Sequence, residues 1–208
     1  MTQYLPIGQV ASVAQGLNAS GSGAGARSGD WAVRVVDSAN IQDDLLLIDD
    51  LRTVAIQQNI KTEKHLLAPN DVLLTARSTT IKSALVPPPV TRTVAGATLL
   101  VVRPMEPESG LGHFLWYYFT SVYGRAQLGA RLNTSSTIAS LSAQSIEEIV
   151  VPLPDFRRLH QLANLIEESR RAYVASLEAA RQRRDAVRDH IIHSLRKETR
   201  RTDAVINR

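Results

Sequence analysis

The chain of 208 residues has room for one domain with an extension or for two small domains. It has no cysteine, which excludes a disulfide framework and a thiolate metal site, and its longest apolar run, Ala97 to Val102, is far too short to span a bilayer. The net charge of +4 hides a division: residues 155–208 carry 13 Lys/Arg against 8 Asp/Glu, whereas residues 1–154 carry 11 against 12, so the basic surplus does not mark the larger part as a nucleic-acid binder.

Met1 is followed by polar Thr2-Gln3 rather than by a basic and then apolar leader, so no secretory signal is expected and the expected localisation is cytoplasmic. Leu5 to Val13 alternates loosely and reads as a short strand. Gly16 to Gly29 follows as a loop rich in Gly, Ser and Ala; it lacks the Gly-Lys-Ser/Thr of a phosphate cradle and the strand-turn-helix of a dinucleotide fingerprint. Trp31 to Val36 is a strand by β-branching and alternation, and the five Asp between residues 37 and 50 surround apolar Leu45 to Ile48. Further short strands are expected over Leu51 to Ile56, Val72 to Arg77 after a Pro69-Asn70-Asp71 turn, Ile81 to Val86, and around Thr93-Val94 and Thr98 to Val102. From Arg52 to Arg103 seven Lys/Arg meet only Glu63 and Asp71, which makes this the part of the head best suited to a polyanion.

At Gly112 the period changes. Phe114, Leu115, Tyr118, Val122 and Leu128 share a helical face, so Gly112 to Arg131 reads as one core helix. Arg131 to Ser140 is almost wholly small and hydroxylated, Leu141 to Glu148 reads as a short helix capped by Ser142, and Ile149 to Pro152 closes the head as a last strand. From Asp155, a natural N-cap, to about Arg201 there is no Gly or Pro, and a helix of that length would be on the order of 70 Å long, more than a small domain can cover. Its apolar positions fall three and four apart as one narrow stripe, interrupted by Arg170 and Arg184, which suits packing along a partner helix. These readings give an α+β chain: a β-rich head over residues 1–154, a long coiled-coil helix over 155–201 and a flexible tail over 202–208.

Chemistry of its own is not expected. His190 and His193 share a helix face without a third ligand, and the adjacent pairs Glu147-Glu148 and Asp49-Asp50 point in different directions, which suits neither a metal nor acid/base work. Two polar stretches stand out instead. Arg77 to Lys82 offers two cations and three hydroxyls, and Arg131 to Thr137 offers a cation, an amide and four hydroxyls. Such groups pair with phosphate oxygens and base edges, but they are equally common in ordinary polar turns.

The order of these parts resembles one half of a type I restriction–modification specificity (S) subunit. The matching residues are Leu5 to Gly16 as an opening strand, Pro69 to Arg77 at the place of the family's Gly-Asp-Ile-Leu and following loop, Leu99 to Pro104 as a later strand and Phe114 to Leu128 as a helix. Most specific is Thr134 through Ile149-Val150-Val151-Pro152-Leu153-Pro154 and on to Gln161-Leu162-Ala163, similar to the family's lead into its coiled coil. Departures are Asn70 for the usual Gly, no Gly at Arg77 to Thr79 or before the hydroxylated run, and no acidic residue before Gln161. The family also carries two recognition domains and two helices in one chain, and here there is one of each.

The resemblance implies a non-catalytic subunit without cofactor or metal that reads double-stranded DNA and positions DNA methyltransferase (M) subunits and, where the complex cleaves, a restriction (R) subunit. The expected DNA contacts are Arg77, Ser78, Thr79, Thr80, Lys82, Asn133, Thr134, Ser135 and Thr137, with Lys61 and Lys64 on phosphates. Leu162, Ile166, Tyr173, Leu177, Val187 and Ile191 are expected to pair the helices of two copies, with Arg170 and Arg184 each meeting a carboxylate such as Glu178 or Asp185 of the second chain. The alternative reading is a coiled-coil adaptor whose head binds protein; another variant pairs this chain with a different S-like chain.

Overall fold

A computed structural model describes residues 2–19, 30–57, 60–78, 80–133 and 139–206, with side chains throughout these except at 30, 57, 60–61 and 197–206. The chain divides into two compact units, Met1–Ile166 and Glu167–Arg208.

Unbroken apolar runs in the middle of the sequence become the centre of the first unit. Strands β2 (Ala11–Gln15), β7 (Val72–Thr75), β8 (Ser83–Leu85) and β10 (Leu99–Pro104) form an antiparallel sheet in the order β2-β10-β7-β8. Val72, Leu74, Leu100 and Val102 pack into one core cluster, and their neighbours Leu73, Leu99 and Val101 pack into another. A sheet covered on both faces needs apolar residues at every position, so these strands lose the alternation of a half-exposed strand.

The second face is covered partly by a smaller sheet, in which β3 (Asp30–Val36) lies antiparallel to β6 (Arg52–Gln57) and parallel to β9 (Thr93–Ala95). Between β3 and β6 the two-residue strands β4 (Ile41–Gln42) and β5 (Leu45–Leu46) close through Asp43 and Asp44, both at positive φ (50° and 58°). Two successive left-handed residues match the twist of a tight hairpin, and Asp is among the residues that tolerate them. Asp44 is tied down from both ends: its carbonyl accepts from Trp116 Nε1 (3.2 Å) and its carboxylate from Arg125 (2.8 Å). Burial raises the Asp44 pKa, and Arg125 opposes that rise.

The stretch read as one opening strand is two. β1 (Gln3–Pro6) pairs with β11 (Val150–Leu153), a 3-10 turn follows over Ile7–Gln9, and β2 then joins the central sheet. The chain bends at Gly8, where an added Cβ would lie 3.1 Å from Glu147 Cβ. The helix expected over Gly112 to Arg131 is likewise two, α2 (Leu111–Thr120) and α3 (Val122–Gly129), after the short α1 (Ile60–Lys64). Ser121 between them is extended; its Oγ donates to Tyr118 O (2.6 Å) and accepts from Gly124 N–H (3.0 Å), so the break is an N-cap. Tyr118 packs among Phe114, Phe119 and Tyr123 with its hydroxyl buried and without a hydrogen-bond partner among the described residues. Tyr118→Phe is therefore expected to raise stability by up to about 1 kcal/mol; a loss of that size in urea unfolding would show that the hydroxyl is satisfied.

Ser142 caps α4 (Ala143–Glu147), accepting from Ser145 N–H at 3.1 Å. Asp155 caps α5 (Phe156–Ile206), accepting from Arg158 N–H at 3.0 Å, and this bond is the main cause of its lowered pKa. α5 extends to Ile206, past the expected end at Arg201. Its first turns count with the globular unit, because Leu159, Ala163 and Ile166 are buried there at 4%, 7% and 6% exposure; the sequence boundary at Pro154 falls before them. Ala163 comes so close to Gly110, at φ +82°, that a Cβ on that glycine would lie 2.7 Å from Ala163 Cβ. Only glycine suits both the left-handed backbone and the contact.

Candidate nucleic-acid interface

Two polar stretches far apart in sequence meet at one point of the fold. β7 continues through buried Ala76, whose N–H donates to Thr98 O (2.7 Å) and whose carbonyl accepts from Leu141 N–H (2.8 Å). One residue further, Arg77 forms an antiparallel bridge with Ser140, and Ser140 exchanges a reciprocal backbone pair with Asn133 (2.9 and 3.1 Å). Ser140 therefore joins the Arg77 loop to the hydroxylated loop, with Leu141, 4% exposed, anchoring the junction in the core.

The first loop is built around Thr75. Its N–H donates to Lys82 O (3.0 Å), its Oγ1 accepts from Lys82 N–H (3.0 Å) and donates to Thr80 O (3.4 Å), and Thr75 is 1% exposed. Ser78 Oγ accepts from Thr80 N–H at 3.2 Å, an ST-type turn that leaves Thr80 exposed. Arg77 is exposed and makes no ion pair with a described residue.

One cation among the expected contacts, Lys82, and one beside them, Arg131, are engaged within the chain. Lys82 is half-buried, and its ammonium donates to the carbonyls of Ile41 (3.0 Å) and Ser38 (3.4 Å). It holds the β3–β4 connection against the loop. Arg131 donates to Ser145 O (3.0 Å) and Glu148 O (3.4 Å), the carbonyls at the C-terminal end of α4, where a guanidinium also suits the helix dipole. Lys64 is exposed at the end of α1. Thr79, Thr134, Ser135 and Thr137 lie outside the described residues, as does the side chain of Lys61. Ser140, not among the expected contacts, is the residue that joins the loops; its signal in the sequence is the lone apolar Leu141 at the end of a run of small hydroxylated residues.

Asn70 explains one departure from the family pattern. It sits at φ +70°, its side-chain amide donates to Pro107 O (3.2 Å), and it places Asp71 beside Arg103. The left-handed region favours Gly and tolerates Asn, so Asn can stand where Gly is usual.

On the long helix the expected pairing face needs correction. Ile166 lies in the core of the globular unit, so its apolar surface is already used there, and Leu162 packs against that core half-buried. Among the others, Tyr173, Val187 and Ile191 are 45%, 54% and 49% exposed. Arg170 and Arg184 find carboxylates on their own helix. Arg170 forks onto Glu167 (2.7 and 2.8 Å), which raises its pKa, and Arg184 Nε lies 3.2 Å from Asp185. Among the described residues no group of three His, Cys, Asp or Glu could hold a metal ion, and no helix is long and apolar enough to cross a membrane.

No family model and no curated protein sequence matches the chain. Solved structures do. A chain from a type I R-M system, described for its complex assembly and conformational transition, shares 18% identity over 86% of this chain and 40% of its own length, with a TM-score of 0.51. The type IIG restriction endonuclease BpuSI shares 10% identity over 79% of this chain and 26% of its own, also with a TM-score of 0.51. The HsdS subunit from Thermoanaerobacter tengcongensis, at 18% identity, aligns over 86% of this chain and 39% of its own with a TM-score of 0.47. The chain spans about two fifths of the type I chains it matches. It has an α+β fold similar to that of a chain from a type I R-M system.

Proposed function

We propose that this chain supplies DNA sequence recognition to a type I restriction–modification complex, or to a related methylation-based defence complex, and is not itself catalytic. The observation that carries this reading is the junction at Ser140, which brings Arg77, Ser78, Thr80 and Asn133 together on a fold similar to that of a type I R-M chain. Donors and acceptors of this kind, held on a rigid strand end, are suited to base edges in a major groove, with the adjoining hydroxyls on phosphates. Lys64 is a phosphate contact in this reading, and Thr79, Thr134, Ser135, Thr137 and Lys61 remain proposed contacts. Lys82 supports it from behind.

Two copies, paired through α5, would present two heads related by a twofold axis and read an inverted repeat with a fixed gap. Methyltransferase subunits would dock on that pair. BpuSI is named as a restriction endonuclease, and this chain covers only 26% of it; cleavage and methylation fall to other subunits of the proposed complex.

Selection from random duplexes with the cognate methyltransferase subunits present tests the reading, and enrichment of no sequence would sink it. Arg77→Glu should weaken binding to the selected duplex by at least about tenfold, the range of one lost base or phosphate contact plus repulsion, and leave the mass by light scattering unchanged. Lys82→Gln should instead lower stability and change affinity little. If Arg77→Glu bound normally, these loops would not be the reading surface.

A further inference from the structure

We infer that Arg131 is a positioning residue for DNA reading: it clamps the limb that carries Asn133 onto α4, and so sets where Asn133 stands relative to Arg77, without touching DNA itself. This rests on the recognition role in the proposed function and goes further by separating the residue that places the reading surface from the residues that form it.

Asn133 and Ser140 are joined by their reciprocal backbone pair, but the two limbs that lead to them are held very differently. The limb after Ser140 runs straight into the core. Leu141 is buried and donates its N–H to Ala76 O at 2.8 Å, Ser142 caps α4, and Ile146 and Ile149 are fully buried. The limb before Asn133 has no comparable ladder among the described residues. The N–H groups of Arg131 and Leu132 turn back onto α3, to Leu128 O (3.1 Å) and Gly129 O (3.3 Å), so of these residues only Asn133 reaches the other limb by its backbone. The half-buried Leu132 packs on the core, while Gly129 and Ala130 ahead of it are exposed. One backbone pair fixes a distance at one point and leaves the direction of the limb open.

Arg131 supplies the second point. Its Nη1 donates to Ser145 O at 3.0 Å and its Nη2 to Glu148 O at 3.4 Å. Both carbonyls lie at the C-terminal end of α4, where a helix leaves acceptors without partners of its own, and Ile146 and Ile149 anchor that end in the core. Capping alone needs only a cation near the helix end, which a lysine would also provide. A guanidinium adds direction: two nitrogens of one planar group, on two carbonyls a helical turn apart, fix where the limb lies as well as how far it reaches.

Because Ser140 pairs with Asn133 and also bridges to Arg77, a limb fixed at Arg131 sets the hydroxylated loop against the Arg77 loop. Lys82 is in a different position. Its own carbonyl and N–H are both held by Thr75 at 3.0 Å, so that end of the Arg77 loop stays in place without the ammonium. No such second hold backs up Arg131 among the described residues, and its loss frees the limb. Base edges are told apart by hydrogen bonds that tolerate little displacement, so a freed Asn133 costs discrimination before it costs general affinity.

Two full-length variants test the clamp in complex with the methyltransferase subunits: Arg131→Met, which keeps the stem, and Arg131→Lys, which keeps the charge. Affinities are measured over a salt series for the enriched duplex, for the same duplex with single base pairs changed, and for a scrambled duplex. Both variants should lose discrimination between the enriched and changed duplexes by at least about fivefold, with less than about a twofold change on the scrambled duplex and the salt slope of wild type. A direct phosphate contact reads otherwise. Arg131→Met would then weaken all duplexes alike and lower the salt slope by about one, while Arg131→Lys would bind as wild type. That pattern overturns the clamp, and so does wild-type discrimination by Arg131→Lys whatever the other variant does. If Arg131→Met did not fold, Arg131→Lys decides alone, because it retains a cation at the end of α4. A wild-type chain that enriches no duplex overturns both the recognition role and the clamp; one that enriches a duplex which Arg131→Lys discriminates equally well overturns the clamp only.

Discussion

Arg103→Ala is expected to cost the globular unit about 3–5 kcal/mol, the range for removing one partner of a buried ion pair. Asp71 is 1% exposed, and Arg103 grips it with two bonds, Nε to Oδ1 at 2.8 Å and Nη2 to Oδ2 at 2.6 Å. The same guanidinium donates to Leu66 O at 2.7 Å, and Asp71 Oδ2 also accepts from Ala68 N–H at 2.8 Å. One ion pair thus closes the turn before β7 onto β10, and hydrogen bonds to Asp71 raise the pKa of Arg103. Without Arg103 the carboxylate is left with a single amide in an apolar interior. Asp71→Ala should cost less, since Arg103 is one third exposed and reaches water. The double variant should cost less than the sum of the two, because the second substitution removes the stranded charge. Urea unfolding of the three variants measures this. An Arg103→Ala loss below about 1 kcal/mol would mean that the pair is only a surface bridge.

This pair also shows which parts of the fold were open to sequence reasoning. The strands around Leu73, Leu99 and Val33 are visible because β-branched and apolar runs of strand length have few other uses. The Ser142 and Asp155 caps are visible because capping is local. Breaks within otherwise regular patterns are not. Ser121 ends α2 although the apolar period runs on through Val122 and Leu128, and its reason is a contact: Gly124 comes against Tyr118 O so closely that a Cβ there would be 2.0 Å away. The candidate interface divides in the same way. Hydroxyl-rich stretches are legible as composition, but whether a cation in them is offered or engaged depends on distant chain. Lys82 is engaged by carbonyls at Ser38 and Ile41, and nothing near residue 82 announces that. Arg131 is engaged by a helix end that forms only once α4 is placed. The junction at Ser140 is a backbone event between segments whose separation in sequence hides it.

The last prediction concerns two residues of one stripe, Ile166 and Leu177, which the sequence treats alike. Ile166→Asp should destabilise the globular unit by about 3 kcal/mol or more, since it removes an apolar side chain from a packed core and places a carboxylate there. Ile166 is 6% exposed and belongs to the core cluster that includes Leu115, Ile146 and Leu159. Leu177→Asp, eleven residues on, should leave unfolding of the dilute chain within about 1 kcal/mol of wild type, as helix propensity alone is at stake. It should nonetheless abolish the proposed self-association, because it puts a charge in the apolar stripe. Unfolding at low concentration and light scattering at high concentration separate the two effects. If both variants unfolded equally, the second unit would owe its stability to a contact within the chain; if neither changed the mass in solution, the stripe would not be a pairing surface. The contrast follows from where one helix passes from the globular unit into the second: the same three-and-four spacing serves a core before Glu167 and, in the proposed function, a partner after it, and periodicity alone does not mark the change.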